Sequence, residues 1–312
     1  MIADQLRLWT WGVHQVFRLG RPEVAFAFLG GLGDELLCTA PLVEWLDRRA
    51  GPIWVRTRCP ELFAGFPAQT RILPDDARYH RLALRLRRPF RYLAYSRYDS
   101  EHDRDQPPSR HVIAEMCHRA GLTGEVRLRP HWRIADRESA IAQRWQGHLA
   151  IQTSTLTAHV PMPNKQWLAA RWQAVVDRFA STIQFVQLGS RDDPPLRGVA
   201  DLRGRTSLRE TAAVLYHARA FVGLVGFLMH LARAVDCPAT IVYGGRETPA
   251  LTGYSCNINV TCTPACSPCW QRAHCDYNRI CMTEISTDMV TTAIERLLAR
   301  PRNPLRVDTA SL

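Results

Sequence analysis

The sequence predicts an α/β protein built on parallel sheets in two domains, and three observations carry that prediction. Val24 to Gly30 is a short apolar run of strand length, followed by a glycine loop and then Leu36, Leu37, Ala40, Leu42, Val43 and Leu46 at helical spacing. Phe221 to Glu247 changes period twice. Phe221 to Leu224 reads as a buried strand, Gly226 as a sharp turn, Leu228, Leu231, Ala232 and Val235 as one helix face, and Thr240 to Tyr243 as the next strand. At 312 residues the chain exceeds what a single core usually covers, so two domains are expected, 1–147 and 148–312.

In parallel sheets a ligand sits beyond the carboxyl ends of the strands, where the N–H groups of a following helix favour an anion. Gly226 to His230, with Met229 between, is therefore a candidate phosphate site. The charge points the same way: 40 Lys plus Arg against 29 Asp plus Glu give +11, which suits nucleic acid, an acidic lipid surface or a phosphorylated substrate. Arginine carries most of that charge and lysine is nearly absent, so Lys165 stands out. No apolar run reaches the length of a membrane span, and the first residues lack the order of a secretory signal, so a cytoplasmic protein is expected.

The first element places Ile2, Leu6, Trp9, Val13 and Phe17 at helical spacing with Arg7, His14 and Arg18 around them. Such a basic amphipathic helix fits a membrane surface or its own domain equally well. The loop Gly31-Leu32-Gly33-Asp34-Glu35 departs from the dinucleotide fingerprint, because the third glycine is missing and Asp34 stands where the helix begins. Asp34 reads as an N-cap, or as a carboxylate at the sheet mouth placed to take a proton from a hydroxyl. Ile53 to Arg56 and Thr70 to Leu73 read as further strands. Arg78 to Arg97 then gathers seven arginines and His80 among apolar residues, either a solvated edge or a patch for an anionic acceptor or lipid. Asp103-Arg104-Asp105 lies in a polar loop and only superficially resembles a metal-binding triplet.

The second half opens on a strand ending in Thr153-Ser154-Thr155, followed by a proline loop and Lys165 near a helix start. Hydroxyls that orient and an ammonium that supplies charge suit pyrophosphate oxygens. Ile183 to Leu188 is the next strand, ending in Gly189-Ser190 with Asp192 and Asp193 beyond. Ser207 and Glu210 form a capping box around Leu208. Six of the ten cysteines fall between 256 and 281, and Cys266, Cys269, Cys275 and Cys281 are spaced closely enough to hold one tetrahedral ion, zinc or iron. Free thiols and a disulfide stay open as alternatives. Cys38, Cys59, Cys117 and Cys237 read as core residues.

In this order the pieces resemble glycosyltransferase family 9, the bacterial heptosyltransferases of lipopolysaccharide assembly and their autotransporter-modifying relatives. The residues that carry the resemblance are GGLGDELLCTAP at 30–41, NKQW at 164–167, TSLRETAAVL at 206–215, GFLMHLARAV at 226–235, YGGRETP at 243–249, and CSPCW with CM at 266–282. The resemblance implies a GT-B architecture, two Rossmann-like domains facing across a cleft, and inverting sugar transfer without a catalytic metal. By it Asp34 is the general base, Lys165 and the hydroxyls of Thr153 to Thr155 hold phosphates, and the helix start with His230 stabilises the leaving diphosphate. Donor-binding positions also include Gly31, Gly33, Gly189, Ser190, Asp193, Leu208, Gly226 and Met229. The implied donor is a nucleotide-diphosphate sugar of the ADP-heptose type, and the acceptor an anionic glycan, glycolipid or protein; a homo-oligomer stays open for this chain. Similar cysteines in the autotransporter-modifying branch look like an iron site.

One departure separates this chain from the family pattern, which places Asp-Ser/Thr-Gly where Val225, Gly226 and Phe227 stand. It fits an altered donor, or a non-catalytic protein that keeps the fold and binds a nucleotide sugar. Nucleic-acid binding has only the net charge in its favour, since no nucleic-acid motif is present.

Overall fold

The computed structural model describes residues 2–301 and 305–312, with the side chains of residues 2–8 outside that description. Helix α1 (Ile2–Leu19) leads into β1 (Val24–Phe28), α2 (Leu32–Leu37), α3 (Thr39–Arg48), β2 (Ile53–Arg56), β3 (Thr70–Leu73), α4 (Arg78–Arg85) and β4 (Phe90–Leu93). These strands make a parallel sheet in the order β3-β2-β1-β4. Every residue of β1 is buried because helices cover both faces. Val24, Phe26 and Phe28 pack towards the α2 and α3 side, whereas Ala25 and Trp54 pack with Tyr79, Leu82 and Leu19 of the α1 and α4 layer.

A short hairpin, β5 (Tyr98–Asp99) and β6 (Arg104–Asp105), precedes α5 (Val112–Arg119), β7 (Glu125–Arg127) and α6 (Asp136–Ala142). The second sheet follows, built from β8 (Leu149–Ile151), α7 (Ala169–Phe179), β9 (Phe185–Gln187), β10 (Ala200–Asp201), α8 (Leu208–His217), β11 (Ala220–Leu224), α9 (Phe227–Ala234) and β12 (Ala239–Val242). Then come α10 (Pro249–Thr252), β13 (Ile258–Val260), α11 (Ile280–Thr283) and α12 (Thr287–Leu298). Its order is β10-β9-β8-β11-β12-β13, parallel throughout. The last strand, β14 (Thr309–Ser311), returns to pair antiparallel with β7.

The two halves share a continuous apolar core. Leu36 and Leu37 of α2 belong to the same buried cluster as Ala212 and Leu215 of α8 and Leu228 and Met229 of α9. The fold is thus two Rossmann-like domains facing across a cleft, as the motif order implies.

Several local expectations change. The arginine-rich stretch divides into a helix and a strand, because Tyr79, Leu82 and Ala83 recur at helical spacing before Pro89 allows β4 to begin. Asp34 is the third residue of α2 rather than its N-cap, and its Oδ2 accepts from the Gly31 N–H at 2.6 Å. Gly226 has φ 167°, extended backbone that any residue adopts, so the turn into α9 does not demand glycine. Cys38, Cys117 and Cys237 are buried as expected, but Cys59 is half-buried beside a surface turn. Ser207 caps α8 through Glu210 as read from sequence.

Candidate active site in the cleft

The first turns of α2 and α9, which follow the central strands of the two sheets, meet at the mouth of the cleft. A Cβ at Gly33 would stand 3.6 Å from the Phe227 Cα, an ordinary van der Waals contact, so the two helix starts are closely packed here. Asp34 projects from α2 into this junction. Burial, the largest influence, raises its carboxyl from 3.8 to about 6, against the lowering effects of the Gly31 N–H, the Lys165 charge and a hydrogen bond with Tyr95. The Asp34 charge, and then burial, push the Tyr95 hydroxyl well above its ordinary range.

Lys165 reaches the same space from the second domain. It ends a single 3₁₀ turn, Pro163–Lys165, whose Asn164 is anchored by Nδ2 donating to the carbonyls of Gln271 and His274 at 3.2 and 2.7 Å. Lys165 Nζ lies 2.5 Å from Glu247 Oε1, and both side chains are nearly buried. Burial lowers the ammonium below its ordinary range, while the charges of Glu247 and Asp34 support it. Burial alone would raise the Glu247 carboxyl, yet Lys165 and Arg246 hold it at about 2. His230, on α9, is also buried, and burial followed by the Lys165 charge lowers it to about 3. It is therefore neutral near pH 7, its Nδ1 2.7 Å from the Tyr254 hydroxyl.

The charge network continues across the cleft. Arg246 donates to Glu247 at 3.1 Å and to Asp105 on β6, and Arg272 donates to Asp105 at 2.6 Å. Asp103 accepts from the Ala273 and His274 N–H groups, each at 2.8 Å. Both aspartates of the polar triplet thus bind the cysteine-rich loop, so the pair acts as an interdomain anchor. Asp105, Arg246, Glu247 and Tyr95 carry no sequence expectation of their own. The signal available for Arg246 and Glu247 is an opposite-charge pair directly beyond the buried β12.

The other expected donor positions divide. Thr153 Oγ1 donates to the Pro194 carbonyl at 3.3 Å, and Ser154 Oγ accepts from the Leu156 N–H at 3.1 Å, so both hydroxyls already bond locally. Asp193 is buried and accepts from Ser190 N–H and the Thr157 hydroxyl at 3.0 and 2.9 Å, closing the loop after β9. Gly189 has φ +135°, and a side chain there would strike the Asp193 carboxylate. Gly31 and Gly33 stand at the start of α2, and Leu208 is the first residue of α8. Met229 is fully buried beneath α9 and fills core there.

Cys266, Cys269, Cys275 and Cys281 line one cavity of about 30 Å³ together with Arg246 and Arg279. Among the described residues no two cysteines are joined by a disulfide. Burial raises the Cys269 and Cys281 thiols, and the other cysteines of the cavity add to it. Among the described residues the one trio of ligating atoms within 4.8 Å of each other is the half-buried Asp99 with the exposed Glu101 and His102, so an ion would have to draw these sulfurs closer. Four soft donors beside two guanidinium groups nonetheless form a set suited to thiolate ligation. Cys256 and Cys262 do not line the cavity.

Two parallel α/β domains whose strand ends and helix starts oppose each other across a cleft have the GT-B fold. By sequence the chain matches the model of glycosyltransferase family 9 (heptosyltransferase) over residues 126–278. No functionally curated protein matches the chain. Among solved structures, the family 9 glycosyl transferase of Veillonella parvula aligns at 15% identity and TM-score 0.62, covering 90% of this chain and 98% of that one. The iron-containing dodecameric glycosyltransferase TibC of enterotoxigenic E. coli aligns at 18% identity and TM-score 0.66, covering 89% and 76%. The E. coli ADP-heptose lps heptosyltransferase II aligns at 14% identity and TM-score 0.64, covering 88% and 98%. At these identities the likeness establishes the fold.

Proposed function

We propose that the protein is an inverting glycosyltransferase that moves a sugar, heptose or a related one, from a nucleotide-diphosphate donor to a hydroxyl of an anionic cell-surface glycan precursor, glycolipid or protein. The observation that carries this reading is the opposition of Asp34 and Lys165 across one gap, each within the other's electrostatic reach. Asp34, held near 6, is ionised at neutral pH yet more basic than an ordinary carboxylate. It takes the proton of the acceptor hydroxyl as that oxygen bonds to the anomeric carbon. The bond from that carbon to the diphosphate breaks on the opposite face, and the electron pair leaves with the phosphate oxygen. Lys165, the N–H groups at the start of α9, and neutral His230 as a hydrogen-bond donor through Nε2 receive that charge. A lysine and a helix start can do this without a divalent ion. The choice of an ADP-heptose type of donor is supported by TibC, which is described in complex with ADP-D-beta-D-heptose. We place the domain boundary near residue 147 and the protein in the cytoplasm.

We further assign Cys266, Cys269, Cys275 and Cys281 as holders of a structural iron or zinc, in keeping with TibC being described as iron-containing. Four protein thiolates would leave no position open for a substrate, so the ion would brace the loop that anchors Asn164. Elemental analysis of purified protein tests this: less than stoichiometric metal in both wild type and a Cys269→Ser variant rejects it.

Incubation with a panel of nucleotide sugars, followed by assay of released nucleoside diphosphate, tests the transferase reading. Slow donor hydrolysis by the wild type and its loss in Asp34→Asn are expected; no turnover of any donor rejects it. A second reading, a non-catalytic nucleotide-sugar-binding protein, is favoured by Val225-Gly226-Phe227, which bring no carboxylate or hydroxyl to the α9 start. Tight nucleotide binding without turnover would select it.

A further inference from the structure

Helix α1 carries two apolar stripes, and only one of them is used. Trp11, Val16 and Leu19 pack with Tyr79 and Leu82 against the first sheet, and Gly12 lies 3.0 Å from Leu82 by its missing side chain. The second stripe, Trp9, Val13 and Phe17, recurs every fourth residue and stays 65%, 50% and 93% exposed. Docking onto its own domain therefore explains half of the helix. On the neighbouring α4, Leu84 is 56% exposed between Arg81 and Arg85; neither arginine forms a salt bridge among the described residues, although the charge of Arg81 is felt at Asp76. From Ala77 to Tyr98 the sequence holds seven arginines and no acidic residue.

The helix is also oriented. The Leu19 carbonyl accepts from Arg71 Nε at 3.2 Å at the start of β3, whereas Trp11 meets Arg78 and Tyr79 just beyond the carboxyl end of that strand. The Trp9 end of the stripe thus lies on the side of the cleft.

We infer that the outer faces of α1 and α4 form a docking surface for an anionic lipid bilayer, with Trp9, Val13 and Phe17 entering the headgroup boundary and Arg18, Arg21, Arg81 and Arg85 meeting lipid phosphates. Apolar insertion beside basic residues is what interfacial helices require, and each arginine adds attraction that salt screens. A second copy of the chain fits this face less well. Three side chains fall short of the roughly 800 Å² per partner that a stable dimer needs, and a self-contact would set one arginine-rich surface against another. The inference stands on the surface alone and would survive the failure of the transferase reading. If both hold, the cleft opens near the membrane from which a lipid-linked acceptor would be offered.

The test is co-sedimentation of the full-length protein with vesicles of phosphatidylcholine alone or mixed with phosphatidylglycerol. Binding to the anionic vesicles only, falling steeply with salt, is expected. The triple variant Trp9→Gln, Val13→Gln, Phe17→Gln changes exposed positions and should keep its thermal midpoint while losing about tenfold or more in vesicle affinity. Arg81→Gln with Arg85→Gln should weaken binding several-fold and flatten its salt dependence. No binding to anionic vesicles at low salt, or unchanged binding by the triple variant, overturns the inference. So does a wild-type dimer in light scattering that the triple variant converts to a monomer without any vesicle binding in either.

Discussion

The starts of α2 and α9 occupy equivalent places, each beyond the central strand of its sheet and each preceded by glycine, but they handle their unpaired N–H groups differently. The α2 start is already supplied with an anion, since Asp34 folds back onto the Gly31 N–H. The α9 start has no side-chain cap and no acidic residue in its first turn. A helix whose first N–H groups are met from within presents a base to the cleft; one left uncapped is open to an anion from outside. The comparison assigns proton removal to the first domain and diphosphate stabilisation to the second, and four measurements can break or sharpen it.

The largest effect belongs to Asp34→Asn, which keeps the size and the possibility of a cap but cannot accept the proton. Turnover should fall by about 10² to 10⁴-fold with nucleotide affinity little changed. A variant retaining more than a tenth of wild-type turnover would show that the α2 anion is only a cap. Next is Lys165→Met, which leaves Glu247 facing Arg246 alone. Chemical denaturation should register a loss of about 2 to 3 kcal/mol, below the usual cost of breaking a buried pair because one cation remains. Adding Glu247→Gln should recover most of that stability and none of the turnover, which separates the structural role of the ammonium from its role at the phosphates.

Gly226→Asp makes α9 resemble α2. The extended backbone accepts it without strain, and its Cβ would meet only the Thr155 methyl at 3.4 Å. Calorimetry should show nucleoside diphosphate affinity down by about tenfold and the melting temperature unchanged or slightly raised, by about 0.5–1 kcal/mol of capping. Unaltered affinity would remove the phosphate from this helix start. The smallest effect is the pH profile. Because the Asp34 carboxyl is raised to about 6, the active ionised form is lost as pH falls through that value, so turnover should drop about tenfold per unit below it and level off above. His230, held neutral to about 3, should contribute no limb in this window.

Much of this arrangement was legible in the chain. The period changes at 24–46 and 221–247 located both helix starts, and a nearly lysine-free sequence made Lys165 conspicuous. What escaped was pairing over long separations. Asp105 meets Arg246 and Arg272 across 141 and 167 residues, and neither partner is marked by local pattern. The Asp-Arg-Asp triplet looked like chance in a polar loop because its function depends on a hairpin docking against a loop whose own fold has no periodicity. Met229 shows the converse: its motif position suggested ligand contact, while the helical register turns it into the core. The split of Arg78 to Arg97 into helix and strand was obscured because charge and apolar residues alternate through both elements.

The return of β14 to β7 has a consequence for motion. The polypeptide passes between the domains twice, once before β8 and again after α12, and Ser255 is fastened to Asp308 near the second passage by backbone N–H and hydroxyl. A single connection would let one body swivel freely on the other; two define an axis. Any relative movement of the two halves must therefore preserve both connections as well as their shared core, which leaves it fewer directions than a single linker would allow.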